Sequence, residues 1–247
     1  MFITANKNGD DKLTEKLKYH TTAIILAAGM GTRMLADIPK QNMMIGSQSV
    51  VERCVAAFNR CADIDSIVLV VREGDVEHMA HLASHYPKIA SIVSGGETRA
   101  ESATFGFSAI PDEAEFVAIH DAARCLITPD MISSVLRVAY SAGAATAVTR
   151  VTDTLKRVDG EGMILTTVPR ENIYRAETPQ VFSREIYARA LELQDAEDTV
   201  TDDNMMVEKL GVGIRCVETD GCNLKITTAD DLVFAEYLLK KRGELGE

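Results

Sequence analysis

The chain has 247 residues with 26 basic and 37 acidic side chains, a formal net charge of −11. A field of that sign disfavours nonspecific contact with nucleic acid or anionic membrane, so a site for a polyanion has to be a local cluster of cations. Hydrophobic residues make up 46% of the chain, enough for a large core without disulfide or metal staples, and no apolar run approaches the ~20 residues of a membrane helix.

The first twenty residues, MFITANKNGDDKLTEKLKYH, are polar, carry both charge signs and hold no apolar signal-peptide core. They are expected to form a flexible extension (residues 1–20) ahead of a single domain at 21–247. The five cysteines form no CxxC pair and are odd in number, which is the usage of small buried thiols in a reducing cytoplasm.

From Thr22 onward two patterns alternate. Strand-like runs occur at TAIILAA (22–28), SIVLVV (66–71), ASIV (90–93), FVAIH (116–120) and AATAV (144–148). Helical spacing fills the gaps: Val50, Cys54, Val55 and Phe58 share one face of SVVERCVAAFNRC, and 75–85, 99–109 and 129–141 follow, the last opened by Pro129. The alternation predicts an α/β fold, a Rossmann-like mostly parallel sheet with helices on both faces. Ligands bind such sheets beyond the carboxyl ends of the strands. That rule puts the Gly29–Lys40 loop, the segment after Val93 and the segment after Ile119 on one rim.

After residue 148 the rhythm breaks. The stretch from Thr149 to Phe182 alternates polar and apolar residues around DGEG, a hairpin signal. A two-stranded excursion cannot bury both faces alone. It is expected to be a β-arm at about 150–180 that dimerises with a second copy; a flap over the protein's own site is the other reading. Helical patterning resumes at 183–194 and 201–210, a strand is expected at 212–217, and a closing helix runs from Asp230 to about Lys240.

IILAAGMGTRMLADIPKQ (24–41) begins as a buried strand and turns into a loop with Ala27, Ala28, Gly29 and Gly31, flanked by Arg33 and Lys40. The dinucleotide fingerprint fails because Met34 stands at its third glycine, and no Gly-Lys-Ser/Thr follows for a P-loop. Close-approaching backbone N–H groups with two cations suit a triphosphate, against a plain surface turn with two solvated basic residues. SGGETRAES (94–102) offers Gly95, Gly96, Arg99 and Ser102 at a helix start, and AIHDAARC (118–125) ends a strand with Asp121, two alanines and Arg124. VTDTLKR (151–157), ETPQ (177–180), TVTDDN (199–204) and CNLKITTADDL (222–232) add hydroxyls, carboxylates and Lys225. Each alone reads as a cap, a turn or a solvated charge; that three of them fall on the rim where the topology predicts a ligand is hard to reconcile with that reading for all. His78, His81 and His85 fall near one helical face without a further ligand, so no protein metal site is expected there.

These motifs, LAAGMGTR…PKQ, GG…R..S, HDAAR, TDTLKR, TPQ, TDD and NLKITT..DL, stand in the order and spacing of the 2-C-methyl-D-erythritol 4-phosphate cytidylyltransferase family, which the chain resembles over about residues 22–240. The resemblance implies transfer of a cytidylyl group from CTP to 2-C-methyl-D-erythritol 4-phosphate, releasing pyrophosphate, with Mg²⁺ held mainly by the CTP phosphates. It implies that Arg33, Lys40 and Lys225 are catalytic. Ala27, Ala28, Gly29, Gly31, Gly96, Glu97, Arg99, Ser102 and Ala122 would surround the nucleotide with Arg33 and Lys40. Asp121, Arg124, Thr154, Thr178, Thr201 and Lys225 would meet the polyol phosphate, with Arg170 reaching in from a partner's arm. A phosphate attacker is already ionised near neutral pH, so His120 is read as a strand-end structural residue. Asp203 is read as a helix cap, with Asp202 left open. Asn42, Cys125, Glu177 and Asn204 depart from the family's usual residues and bear on the choice of acceptor. The competing readings are a ribitol 5-phosphate cytidylyltransferase and a noncatalytic CTP-binding regulator.

Overall fold

The structure is a computed structural model that describes residues 19–29, 39–194 and 200–246. Strand β1 (Thr21–Leu26) opens the core, and a short hairpin of β2 (Met44–Ile45) and β3 (Gln48–Ser49) precedes helix α1 (Val50–Arg60). Then come β4 (Ser66–Val71), α2 (Val76–His85), β5 (Ile89–Ser94), α3 (Arg99–Ser108), β6 (Phe116–Asp121), α4 (Pro129–Ala142) and β7 (Ala144–Arg150). Beyond them lie β8 (Leu155–Val158), β9 (Ile164–Val168), β10 (Tyr174–Ser183), α5 (Arg184–Glu192), α6 (Asp203–Glu208), β11 (Arg215–Glu218) and α7 (Ala229–Lys241).

Seven strands form one sheet in the order β11-β7-β10-β6-β1-β4-β5. All neighbours are parallel except β10, which runs antiparallel to both β6 and β7. The central strands are buried on both faces, which is why β4 reads as an unbroken apolar run with every residue buried. Period-two alternation sends Ile67, Leu69 and Val71 to one core, with α1, α4 and α7, and Val68 and Val70 to the other, with α5 and α6. The expected Rossmann-like α/β architecture is therefore present, with most element ends within a residue or two of the pattern. Helices start where side-chain caps allow: Ser49, Thr98, Thr128 and Thr228 each accept a backbone N–H from the first turn.

Two expectations change. The arm is only β8 and β9, paired around the DGEG turn; residues 174–183, taken as part of the excursion, return as the antiparallel strand inside the sheet. Pro179 disguises them, since proline is confined to sheet edges and bulges. Here it sits at a bulge, because the register with β7 slips between Ala176 and Gln180. The N-terminal boundary also moves. Residues 1–18 of the expected extension lie outside the described residues, but Tyr19 packs its ring 4.9 Å from Phe116 and 5.0 Å from Tyr140. The His20 N–H donates to Glu115 at 3.0 Å, so the packed body already includes Tyr19 and His20.

Helix α3 sits on the sheet through Gly106. A Cβ there would stand 2.4 Å from Ile24 Cγ2 and 2.8 Å from Val70 Cγ2. Gly106→Ala should therefore destabilise, although alanine is the better helix former: overpacking of about 1–3 kcal/mol outweighs about 1 kcal/mol of propensity. Urea unfolding checks this through a lower transition midpoint, and an unchanged or higher midpoint would contradict the close seating.

Candidate active site

At the carboxyl ends of β1, β4, β5 and β6 lies a cleft of about 500 Å³. Ala27, Ala28 and Gly29 continue β1 into it, with the Ala27 N–H donating to Val70 O at 2.7 Å. Opposite them the turn from β5 into α3 packs without a side chain to spare. At Gly95 a Cβ would lie 2.4 Å from the Cβ of Ala28 and 2.7 Å from Ser102 Oγ. Ser102 Oγ accepts the Gly96 N–H at 3.1 Å and donates to Thr98 O at 2.9 Å. Thr98 and Glu101 form a reciprocal capping box, so the N-terminus of a ten-residue helix faces the cleft with its turn rigidly held.

Charge is organised around Asp121 at the end of β6. Its Oδ1 accepts from Arg99 Nε at 3.1 Å and its Oδ2 from Lys225 Nζ at 2.6 Å. Arg99 Nη1 also lies 2.8 Å from Asp203 Oδ2, and Asp203 is fully buried with its Oδ1 accepting from Tyr187 OH at 2.7 Å. Burial alone would raise the Asp121 pKa; Arg99 and then Lys225 outweigh it and hold the carboxyl well below the usual carboxylate range. Burial opposes the charge on Arg99 as well, and Asp203 and Asp121 reverse that, so the guanidinium stays firmly protonated.

Beneath this cluster His120 is fully buried. The Asp121 N–H donates to Thr178 Oγ1 at 3.1 Å, and that hydroxyl lies 2.9 Å from His120 Nδ1. Nε2 is 3.3 Å from Arg124 O, an acceptor only, so the proton belongs on Nε2 and the Thr178 hydroxyl donates to Nδ1. Burial, partly opposed by Asp121, pushes the His120 pKa down to about 3. It is a neutral structural bridge. The buried Glu177 carboxylate accepts from the hydroxyls of Thr149 and Thr219 and from Asn223 Nδ2. Asn223 Nδ2 also donates to Thr178 O at 2.8 Å, and Arg124 Nη1 donates to Asn223 O at 2.8 Å. The segment carrying Lys225 is thereby stitched to the bulge of β10.

Of the residues expected at the site, Ala27, Ala28, Gly29, Lys40, Gly96, Glu97, Arg99, Ser102, Asp121, Ala122 and Lys225 line this one cleft. Gly31 and Arg33 lie outside the described residues. Ser102, one of the cleft residues, and three further expected residues have surroundings that the motifs do not reveal. Ser102 is buried and its hydroxyl is used within the loop. Thr178 is buried with its hydroxyl engaged twice, so it positions Asp121 and His120. Arg124 stands behind the cleft on backbone carbonyls, and the exposed Thr201 donates to Met205 Sδ at 2.9 Å. Thr154 and Arg170 are exposed, on the loop leading into β8 and just beyond β9, where the Arg170 guanidinium donates to Thr152 O. The cap of α6 is Asp202, which accepts from Met205 N, while Asp203 serves the ion-pair chain instead. Gln41, Arg72 and Glu73 line the cleft without having been anticipated; Arg72 forks onto Asp75 at 2.9 and 3.3 Å just past β4.

The chain as a whole is matched by known proteins. The model of the family described as 2-C-methyl-D-erythritol 4-phosphate cytidylyltransferase matches residues 21–241. The chain belongs to this family. A curated member from Alkaliphilus oremlandii is 36% identical over 228 residues, covering 91% of this chain and 97% of its own. One from Aromatoleum aromaticum is 38% identical over 226 residues, covering 90% and 96%. Among solved structures, 4-diphosphocytidyl-2C-methyl-D-erythritol synthase from Anaerococcus prevotii superposes with a TM-score of 0.80 at 27% identity, over 90% of this chain and 99% of that one.

Because His120 titrates near 6.5 when unfolded and about 3 when folded, the unfolded chain takes up its proton first. The stability it confers is complete above pH 6.5 and declines as pH falls. Between pH 7 and 5 this one group should remove about 2 kcal/mol, and His120→Gln should lack that slope. The Asp121 contribution has the same sign but starts to be lost only as pH falls into the ordinary carboxylate range, where the unfolded chain takes up that proton, and the loss continues below it. Denaturant titrations of both proteins at several pH values provide the check; parallel stability curves would show that His120 is protonated when folded.

Proposed function

We propose that the protein transfers the cytidylyl group of CTP to 2-C-methyl-D-erythritol 4-phosphate. The observation that carries this reading is that Lys40 and Lys225, from opposite ends of the chain, share one cleft with the Ala27–Gly29 backbone and the α3 N-terminus, in a member of this family.

The reaction joins two anions. An oxygen of the substrate phosphate bonds to the α-phosphorus of CTP as the bond from that phosphorus to the bridging oxygen breaks, and pyrophosphate leaves with the electron pair. Two unit charges 4 Å apart at an effective dielectric of 20 repel by about 4 kcal/mol, so positioning and charge compensation supply the catalysis. Lys40 and Arg33 hold the triphosphate, and Lys225 bridges attacking and attacked phosphates. Asp121 acts by fixing Lys225 over the cleft. Ala27, Ala28, Gly29, Gly31, Gly96, Glu97 and Ala122 shape the nucleotide pocket. Mg²⁺ would neutralise phosphate oxygens. Of the carboxylates lining the cleft, Asp121 has both oxygens engaged by cations, which fits a metal carried chiefly on the nucleotide.

The same reading makes the protein a homodimer. Val158, Met163, Ile164 and Leu165 on the hairpin are each more than half exposed, an apolar surface an isolated hairpin cannot stabilise in water. Seated on a second copy, the arm would bring Arg170 and Thr154 to that copy's polyol phosphate. A cytoplasmic location accords with this activity, and no described helix is long and apolar enough to cross a membrane. As to the acceptor, Glu177 is enclosed in the network under the site and Cys125 lines a separate cavity. Neither unusual residue touches the cleft, which favours the methylerythritol substrate over ribitol 5-phosphate.

Pyrophosphate release with CTP, ATP, GTP and UTP against both polyol phosphates tests the assignment. Turnover is expected with CTP and 2-C-methyl-D-erythritol 4-phosphate, abolished by EDTA, and reduced at least about 100-fold in Lys40→Ala or Lys225→Ala; exclusive use of ribitol 5-phosphate, or tight CTP binding without turnover, overturns it. For the arm, sedimentation should give a dimer. Coexpressing Arg170→Ala with Lys225→Ala should regenerate activity that neither variant has, through sites pairing an intact Lys225 with the partner's intact arm. No regeneration would put Arg170 outside the neighbouring site.

A further inference from the structure

A second cavity, of about 370 Å³, lies on the far side of the loop that follows Asp121. It falls in the lower part of the roughly 300–1,000 Å³ range of small-molecule pockets. The residues 121–127 have two faces: Asp121, Ala122 and Ala123 line the active cleft, whereas Cys125 and Ile127 line this cavity. Arg53 and Arg60 reach it from α1, two helical turns apart, and Arg242 reaches it from the end of α7, beside Leu239.

The charge in this cavity is unbalanced. Arg53 is 7% exposed, and its Nε and Nη2 donate to a backbone carbonyl, Ile45 O, at 2.9 and 2.6 Å. No carboxylate pairs with it among the described residues, and its Nη1 makes no hydrogen bond there. Arg60 likewise has no hydrogen bond or ion pair among the described residues. Arg242 Nη1 donates to Leu126 O at 2.8 Å and lies 3.9 Å from Glu244, the one carboxylate lining the cavity. Three guanidiniums thus face one acid, in a protein whose acidic residues otherwise predominate. A buried charge without a counter-charge is costly. The planar fork of arginine is built to grip phosphate oxygens.

We propose that this cavity binds a small phosphorylated metabolite, its phosphate dianion held by Arg53, Arg60 and Arg242 and its short carbon skeleton resting on Ile127 and Leu239. The site is separate from the cleft and independent of the cytidylyl-transfer reading. Its occupant would press on the loop whose other face carries Asp121, the residue that fixes Lys225.

Calorimetric titration with inorganic phosphate tests it, at ionic strength held constant with chloride so that screening does not mimic binding. The titration uses full-length protein carrying Lys40→Ala and Lys225→Ala, which removes both lysines of the cleft. A saturable phosphate site is expected to persist in that protein. Adding Arg60→Gln, at an exposed position with no partner to lose, is expected to weaken it about tenfold or more. No saturable binding at tens of millimolar phosphate, or an affinity indifferent to Arg60→Gln, overturns the proposal. Crystals of the unaltered protein soaked in tungstate give an answer that does not depend on variants folding. The anomalous peak should fall among the three guanidiniums, and peaks confined to the cleft count against the site. Neither readout requires turnover, so its failure leaves the catalytic assignment standing, and the reverse also holds.

Discussion

The chain of charges Asp203–Arg99–Asp121–Lys225 organises everything around the cleft. It joins four separate parts of the sequence: α6, the first residue of α3, the end of β6 and the segment before α7. Two carboxylates buried this deeply are tolerable only because a guanidinium lies between them. Removing one partner of such a pair costs about 3–5 kcal/mol, since the charge left behind is stranded. What the chain achieves is orientation. A lysine on a loop would ordinarily extend its ammonium into water. Held at 2.6 Å by Asp121, Lys225 stays over the cleft before any phosphate arrives, which is the preorganisation that electrostatic catalysis requires.

That chain rests on an irregular strand. β10 runs against the direction of its neighbours and breaks register with β7 between Ala176 and Gln180. The bulge turns Glu177 and Thr178 into the space below Asp121, where a regular strand would have alternated them across the sheet. Thr178 then takes the Asp121 N–H and donates to Nδ1 of His120, while Glu177 gathers Thr149, Thr219 and Asn223. Gln180 finishes the connection: its Oε1 accepts the N–H groups of Asp203 and Asn204, and its Nε2 donates to Asp202. Three residues within one four-residue stretch of a strand, Glu177, Thr178 and Gln180, therefore support the charge chain from below.

What could be read from the sequence divides along physical lines. Period-two and period-3.6 patterns record which face of an element is buried, so the parallel strands and long helices were legible, including α4 with Pro129 at its first position. The rim location followed from topology, and the small residues after β1 with Lys40 and Lys225 could be placed in one cleft. β10 was not legible, because a proline among polar residues inside a strand looks like a loop until a bulge accommodates it. The buried role of Asp203 was hidden for a related reason. Any aspartate at a helix start satisfies the capping pattern, and whether it caps or turns inward to a guanidinium depends on Arg99, more than a hundred residues earlier. Arg72 and Glu73 were missed because nothing in SIVLVVREGD distinguishes a cleft edge from an ordinary strand end.

The charge balance of the cleft limits how it can hold a triphosphate. Its lining carries Lys40, Arg72, Arg99 and Lys225 against Glu73, Glu97 and Asp121, and Arg72 and Arg99 are further committed to Asp75 and Asp203. The described walls are therefore only weakly cationic, in a protein whose net charge is −11. Long-range attraction alone would not bring a polyanion here. Backbone N–H groups at the α3 N-terminus and after β1 act at short range and without counter-charges, so they can recognise phosphate where additional lysines would have needed partners of their own. A nucleotide arriving with part of its charge already neutralised by a cation meets less opposition from the surrounding field. In the proposed reaction the two lysines would act on the reacting phosphates more than on capture, and their value would lie in where Asp121 and the loop around Ile226 hold them.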